Sequence, residues 1–209
     1  MIRNVIFDMG DVLMDYRPMN TCLRLADSPE DAQIICRALF QAPEWAQKLD
    51  RGLIAEEEML ALCLSRLATL AQKEAAARVF AEYHLDTLNP MPGMEPLLEA
   101  TRKRGFRLYL LSNVGTRVHR FLHKVPGVNS FDGFLFSYQV KQIKPGPDIY
   151  RCFLEKFSLR ARECLFVDDV QANVDGAVNL GLQGYCFEGG DVERLKEFLA
   201  KLPSHNAAL

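Results

Sequence analysis

The chain reads as an α/β protein: a doubly wound, Rossmann-like parallel sheet carrying an inserted four-helix cap. Three observations predict this. A short β-branched apolar run, Arg3–Asp8, ends abruptly at an acid. Residues 17–88 then show apolar residues at helical spacing with no strand-like run. From Met94 onward, strand and helix signals alternate, the pattern of βα units whose parallel sheet is covered on both faces.

Arg3–Asp8 has the length and β-branched content of a buried parallel strand. In Asp27-Ser28-Pro29-Glu30-Asp31, Ser28 can cap a helix, Pro29 suits its first turn, and the acids favour its positive end. Gly52 can end a helix holding Trp45 and Leu49, and Ala55–Leu70 and Gln72–His84 complete a set of about four. The Pro/Gly cluster Asn89-Pro90-Met91-Pro92-Gly93 marks the return to the first unit. Helices are expected at Met94–Arg104, Thr116–His123, Pro147–Phe157, Ala172–Leu180 and Asp191–Lys201, and strands at Phe106–Leu111, Gly133–Ser137, Glu163–Val167 and Gly184–Phe187. The domain expectation is a core of 1–16 and 89–203, a helical cap of 17–88, and a loose tail of 204–209.

The composition, 49% apolar and 25% charged over 209 residues, suffices for a real core. A net charge of −2 with no long basic run argues against nucleic acid or anionic membrane as main partners. No apolar stretch approaches the ~18–20 residues of a membrane span. The first strand begins almost at Met1, so no signal peptide is expected. Six cysteines without a CxxC pair read as reduced, mostly core thiols of a cytoplasmic protein. Neither a monomer nor a homodimer is favoured.

Four segments turn polar where strands should end: Val5–Leu13, Leu110-Leu111-Ser112-Asn113, Ile143-Lys144-Pro145 and Leu165–Asp169. Ligands of open parallel sheets bind at that edge, so the four describe one site. Asp8 suits attack on phosphorus and cation binding. Gly10 permits a sharp bend and offers a carbonyl to the same cation. Ser112, Asn113 and nearby backbone N–H groups can grip phosphoryl oxygens. Lys144, in a loop stiffened by Pro145 and Pro147, offsets charge repulsion. Asp168 and Asp169 are costly side by side without a cation, and Asn173 lies one helical turn on. Singly, each has an ordinary alternative: a solvated acid, a helix cap, a surface lysine.

Together these residues resemble the haloacid dehalogenase-like superfamily. Phe7-Asp8-Met9-Gly10-Asp11-Val12-Leu13 is similar to its first motif, Ser112 to the second, Lys144 to the third, and Asp168-Asp169 with Asn173 to the fourth. Residues 17–88 resemble its small helical cap. Glu44-Trp45, Leu49-Asp50-Arg51-Gly52 and Glu56-Glu57-Glu58 resemble the subgroup of sugar-phosphate phosphatases and the N-terminal phosphatase domain of epoxide hydrolases. The resemblance implies Asp8 as nucleophile and Lys144 as its partner. It implies Ser112, Asn113 and Gly10 as phosphate-binding residues, and Asp8, Gly10, Asp169 and Asp168 around Mg2+. The expected activity is phosphatase action on a small phosphorylated metabolite, such as a sugar phosphate.

One departure stands out. Gly10 occupies the place where phosphatases of this superfamily usually carry an acid/base Asp, a contribution often worth about 10²–10⁴ in rate. Asp11 and Asp15 are the nearest acids. Gly146 also departs, standing where many relatives have Asp. A dehalogenase that attacks carbon without metal is an alternative, disfavoured by Asp168-Asp169, and a non-catalytic phosphate binder is another. Trp45 is as readily pocket lining as core anchor. Arg17 and Arg51 could meet a substrate anion, though each reads more simply as a solvated surface residue, and the histidines have no motif role.

Overall fold

The computed structural model describes residues 1–204. All of the tail expected at 204–209 except Ser204 lies outside those residues, as does His205.

Five parallel strands form the central sheet in the order β5-β4-β1-β6-β7: β1 (Asn4–Phe7), β4 (Arg107–Ser112), β5 (Gly133–Phe136), β6 (Cys164–Asp168) and β7 (Gln183–Cys186). The centre is β1, buried throughout and paired with β4 and β6. Its side chains alternate between two apolar layers. Val5 and Phe7 join Leu97, Leu98, Leu195 and Leu199 of α5 (Met94–Lys103) and α9 (Val192–Lys201). Ile6 joins Ile149, Tyr150, Phe153 and Ala177 of α7 (Pro147–Lys156) and α8 (Gln171–Val178). Period-two alternation with both faces covered is why β1 reads as one continuous apolar run.

Phe7 is in register with Leu110 and Val167. Asp8 and Asp168 come directly after Phe7 and Val167, and Ser112 two residues after Leu110, so the three emerge together at the carboxyl edge. The strand order reverses about β1, which is where open sheets leave a crevice.

Between β1 and β4 the chain adds a helical insertion with its own apolar core, including Ile35, Leu39, Met59, Val79 and Phe80. Its helices are α1 (Pro18–Leu25), α2 (Pro29–Phe40), α3 (Glu56–Leu64) and α4 (Leu70–Asp86). Ser28 caps α2 by accepting from the Asp31 N–H, and Thr69 with Gln72 forms a capping box on α4. The count of four holds, but the membership differs. Pro18–Leu25 is a separate helix, and the segment holding Trp45 is a single π-helical turn, Trp45–Asp50.

Two further expectations are corrected. The stretch Thr116–His123 is not an α-helix but two 3₁₀ turns, Thr116–Arg120 and Leu122–Lys124. Val118 and Phe121 are both buried, and the three-residue period aligns them. The stems of the insertion pair as a small antiparallel ribbon, β2 (Met14–Tyr16) with β3 (Leu88–Pro90). Three residues containing a proline carry too little pattern to announce a strand.

The insertion is tied to the core by polar contacts. Arg117, buried, pairs with Glu56 and donates to the Phe80 carbonyl. Arg51 donates to the Lys141 carbonyl at 2.8 Å, and Lys124 to the carbonyls of His84 and Leu85. Short α6 (Ser137–Val140) abuts the π-turn, where the Ser137 hydroxyl donates to the Asp50 carbonyl. The six cysteines are unpaired, four of them buried. Among the described residues, no helix is long and apolar enough to cross a membrane.

Gly52 makes this junction possible. Its φ is +72°, and a Cβ there would stand 2.9 Å from the Tyr138 carbonyl oxygen. Gly52→Ala is expected to destabilise the protein by more than the ~1–2 kcal/mol that left-handed backbone costs an L-residue, read as a lowered urea midpoint.

Candidate active site

Lys144 and Asp168 are the buried heart of the sheet edge, with side chains 1% and 0% exposed. The Lys144 ammonium lies 2.6 Å from Asp168 Oδ2 and 2.8 Å from Asp8 Oδ1. Burial works against this ammonium, but the charges of Asp8 and Asp168 outweigh it and hold the lysine above its ordinary range. Burial also raises the Asp8 carboxyl, and the Asp168 charge adds to that rise against the pull of Lys144.

Asp168 has both oxygens engaged. Oδ2 takes the lysine, while Oδ1 accepts from the Val170 N–H and the Asn173 amide, both at 2.9 Å. Asn173, expected near the cation, thus holds Asp168. The carboxylates of Asp8, Asp168 and Asp169 offer oxygens within 4.8 Å of one another. Burial first, then the charges of Asp8 and Asp168, push the Asp169 carboxyl to about 7. Three carboxyls against one ammonium leave surplus negative charge in an all-oxygen donor set. That chemistry fits a hard divalent cation such as magnesium. Asp8 and Asp169 are the carboxylates with oxygen not already committed to α8.

The Lys144–Pro145 peptide bond is cis. Asn113 fixes this loop from β4. Its Oδ1 accepts the Lys144 N–H at 2.8 Å, and its amide donates to the Lys144 carbonyl at 3.0 Å. Both ends of that side chain bind the backbone of Lys144, so the Asn113 side chain fixes where the lysine stands, and its second amide N–H remains beside the cavity it lines. Ser112, buried, has no partner for its hydroxyl among the described residues and lines the cavity beside Asp8.

Gly10 also lines that cavity, but the sharp bend falls one residue later, where Asp11 has φ of 51°. Nothing lies within 4 Å of where a Cβ on Gly10 would stand. Asp11 and Asp15, the nearest acids, are both bound by Arg17, at 2.9 and 2.6 Å.

The cavity, about 300 Å³, opens between the sheet edge and the insertion. Its floor is Asp8, Met9, Gly10, Ser112, Asn113 and Val114. The far wall is aromatic: Phe40, Trp45 and Tyr83, with Tyr16 from β2 and Phe121 beside them. Trp45 is both lining and anchor, its ring 4.9 Å from that of Phe40 and 5.7 Å from that of Tyr83. Arg51 is committed to Lys141 and Gln142 and does not line this cavity. Tyr16, Phe40, Tyr83 and Asp50 had no role from sequence. Asp50 sat within the quoted Leu49-Asp50-Arg51-Gly52, but only the fold shows where its carboxyl points.

A family model for haloacid dehalogenase-like hydrolases matches residues 2–181. The chain belongs to this family. Members of the haloacid dehalogenase-like hydrolases similar to it include a D-ribitol-5-phosphate phosphatase of Bacteroides thetaiotaomicron, 25% identical, covering 91% of this chain and 94% of that protein. They also include haloacetate dehalogenase H-2 of a Moraxella species, 28% identical over 87% of this chain and 84% of that one. Among solved structures, a family enzyme from Bacteroides thetaiotaomicron in complex with magnesium and inorganic phosphate superposes with a TM-score of 0.68. It is 22% identical, covering 93% of this chain and 99% of that one, and shows the shared fold.

The engagement of Asn113 gives a direct test. Asn113→Ala is expected to lose about 1–3 kcal/mol of stability, because two part-buried hydrogen bonds to the backbone of buried Lys144 vanish together. Chemical denaturation measures this; an unchanged midpoint would mean the amide is dispensable for holding Lys144.

Proposed function

We propose that this hydrolase is a magnesium-dependent phosphatase acting on a small phosphorylated metabolite. The observation that carries this reading is the buried lysine bound by Asp8 and Asp168, with Asp169 beside those two carboxylates and Asp8 at the floor of the cavity. Two acids at a metal edge have a use in phosphoryl transfer and none in metal-free attack on carbon.

Asp8 is the nucleophile: one carboxylate oxygen bonds to phosphorus and the ester oxygen departs, leaving an aspartyl-phosphate that water then hydrolyses. Lys144 neutralises the approach of carboxylate to phosphate and fixes the orientation of Asp8. The Ser112 hydroxyl donates to a phosphoryl oxygen, and backbone N–H groups following β4 supply further donors. A magnesium ion held by Asp8, Asp169 and the Gly10 carbonyl would offset charge on the transferring phosphoryl group. Asp168 and Asn113 act by holding Lys144. The aromatic wall receives the body of the substrate, and aromatic faces accept the C–H surface of a sugar or polyol as well as an apolar group. The relative named for D-ribitol 5-phosphate puts polyol and sugar phosphates first in a substrate panel.

Dehalogenation remains the second reading, favoured by the apolar wall and by the haloacetate dehalogenase relative. Metal dependence separates the two.

Hydrolysis of p-nitrophenyl phosphate is expected to require magnesium, to stop with EDTA, and to be abolished by Asp8→Asn with the fold retained. Metal-dependent activity surviving in Asp8→Asn would remove Asp8 as nucleophile. In a parallel assay, Lys144→Ala should lower kcat/KM by at least about 10²-fold, the scale of losing a preorganised charge at the reacting group. An unchanged kcat/KM would place Lys144 outside the chemistry.

A further inference from the structure

A carboxyl two residues after Asp8 would stand in the open space in front of Gly10, and the chain has none there. Attack and departure at phosphorus are in line, so a phosphoryl group approached by Asp8 presents its leaving oxygen on the opposite side. That side faces the helical insertion. Among the described residues lining the cavity, the only carboxyls are Asp8 and Asp50, and Asp50 belongs to the insertion's wall.

Asp50 is held in place from the core. Its Oδ1 accepts the Gly115 N–H at 3.1 Å, three residues beyond Ser112, and its backbone carbonyl accepts from Ser137. Its Oδ2 has no partner among the described residues. The residue is half-buried, and its open side is the cavity.

We propose that Asp50 is the general acid and base of this hydrolase, delivered across the cavity by the insertion in place of the acid missing at Gly10. The proposal rests on the phosphatase reading. As an Asp8 oxygen bonds to phosphorus and the P–O ester bond breaks, the Asp50 proton passes to the departing oxygen. The product leaves as an alcohol and Asp50 remains as carboxylate. Water then attacks the phosphorus of the aspartyl-phosphate, gives one proton to Asp50, and leaves its hydroxyl on the phosphate as the bond to Asp8 breaks. Asp50 ends protonated for the next cycle.

The environment suits both roles. Burial, opposed by the Gly115 N–H, pushes the Asp50 carboxyl to about 8. It therefore carries a proton at neutral pH yet releases one readily. The ionisable side chains that sense its charge are Tyr16 on β2 and Tyr83 on α4. Burial holds both phenols above their ordinary range, so they stay neutral, and the Glu56 and Arg117 charges behind Tyr83 pair with each other.

First-turnover and steady-state rates with two esters of the same shape, p-nitrophenyl phosphate and phenyl phosphate, test this in wild type and Asp50→Asn. The Asn side chain keeps an acceptor for Gly115. p-Nitrophenolate leaves unaided, whereas phenolate needs a proton. Asp50→Asn is expected to release a near wild-type burst from p-nitrophenyl phosphate, followed by steady turnover slowed by about 10²–10⁴. With phenyl phosphate the first turnover itself should slow by that order. Equal losses of first-turnover rate on both esters, or no loss on either, would overturn the proposal. Asp50→Ser carries the same comparison should the Asn variant fail to fold. Wild type inert toward both esters with magnesium would instead defeat the phosphatase reading, and this proposal with it.

Discussion

The Lys144 ammonium, clasped between Asp8 and Asp168, is the contact on which the rest of the site depends. A buried charge is tolerated only where partners compensate it, and removing one partner from such a pair costs far more than an exposed salt bridge is worth. The surroundings serve that requirement. Asp168 is locked by the first turn of α8 through Val170 and Asn173. The backbone of Lys144 is locked from β4 by both ends of Asn113. The ammonium also sits 5.4 Å from the centre of the Phe166 ring on β6. Three neighbouring strands and the loop before α7 thus converge on one cation, which leaves Asp8 oriented toward the cavity.

The second constraint is the seam between sheet and insertion. The cavity exists because a helical body is held over the carboxyl edge, and polar contacts do much of the holding. Gly52 lets the π-turn lie against Tyr138, Ser137 and Gly115 bind Asp50 from the core, and Arg117 reaches between α3 and α4. Arg117 also lies over the Phe80 ring, 4.3 Å from its centroid, next to Tyr83. The seam and the shape of the cavity are coupled here, since Asp50 and Tyr83 belong to both.

Departures from the motif pattern take on meaning in this setting. An acid at position 10 would act from the floor of the site, beside the nucleophile. With glycine there, the floor carries Asp8 and Ser112 without a second acid, and under the proposed chemistry proton transfer falls to Asp50 on the opposite wall. An arrangement of that kind ties chemistry to the seam, because the proton-handling group is in place only while the insertion is seated.

The parallel sheet, the all-helical segment after β1, and the residues at the strand ends were legible in the sequence, because strand periodicity and the burial of β1 leave few ways to read them. Asp8, Ser112, Lys144, Asp168 and Asp169 could be named for the same reason: each follows directly from an apolar run or lies in a proline-stiffened loop. The π-turn at Trp45–Asp50, the ribbon Met14–Tyr16 with Leu88–Pro90, and the 3₁₀ turns after Gly115 could not, because each is too short to show a period and is shaped by a tertiary neighbour. The division of labour within the motifs was decided the same way. Whether Asn113 grips an anion or a backbone loop, and whether Asp50 points to solvent or into the cavity, depends on which distant segment arrives beside it. Local sequence sets the conformation of an element; only the packed chain sets what its side chains face.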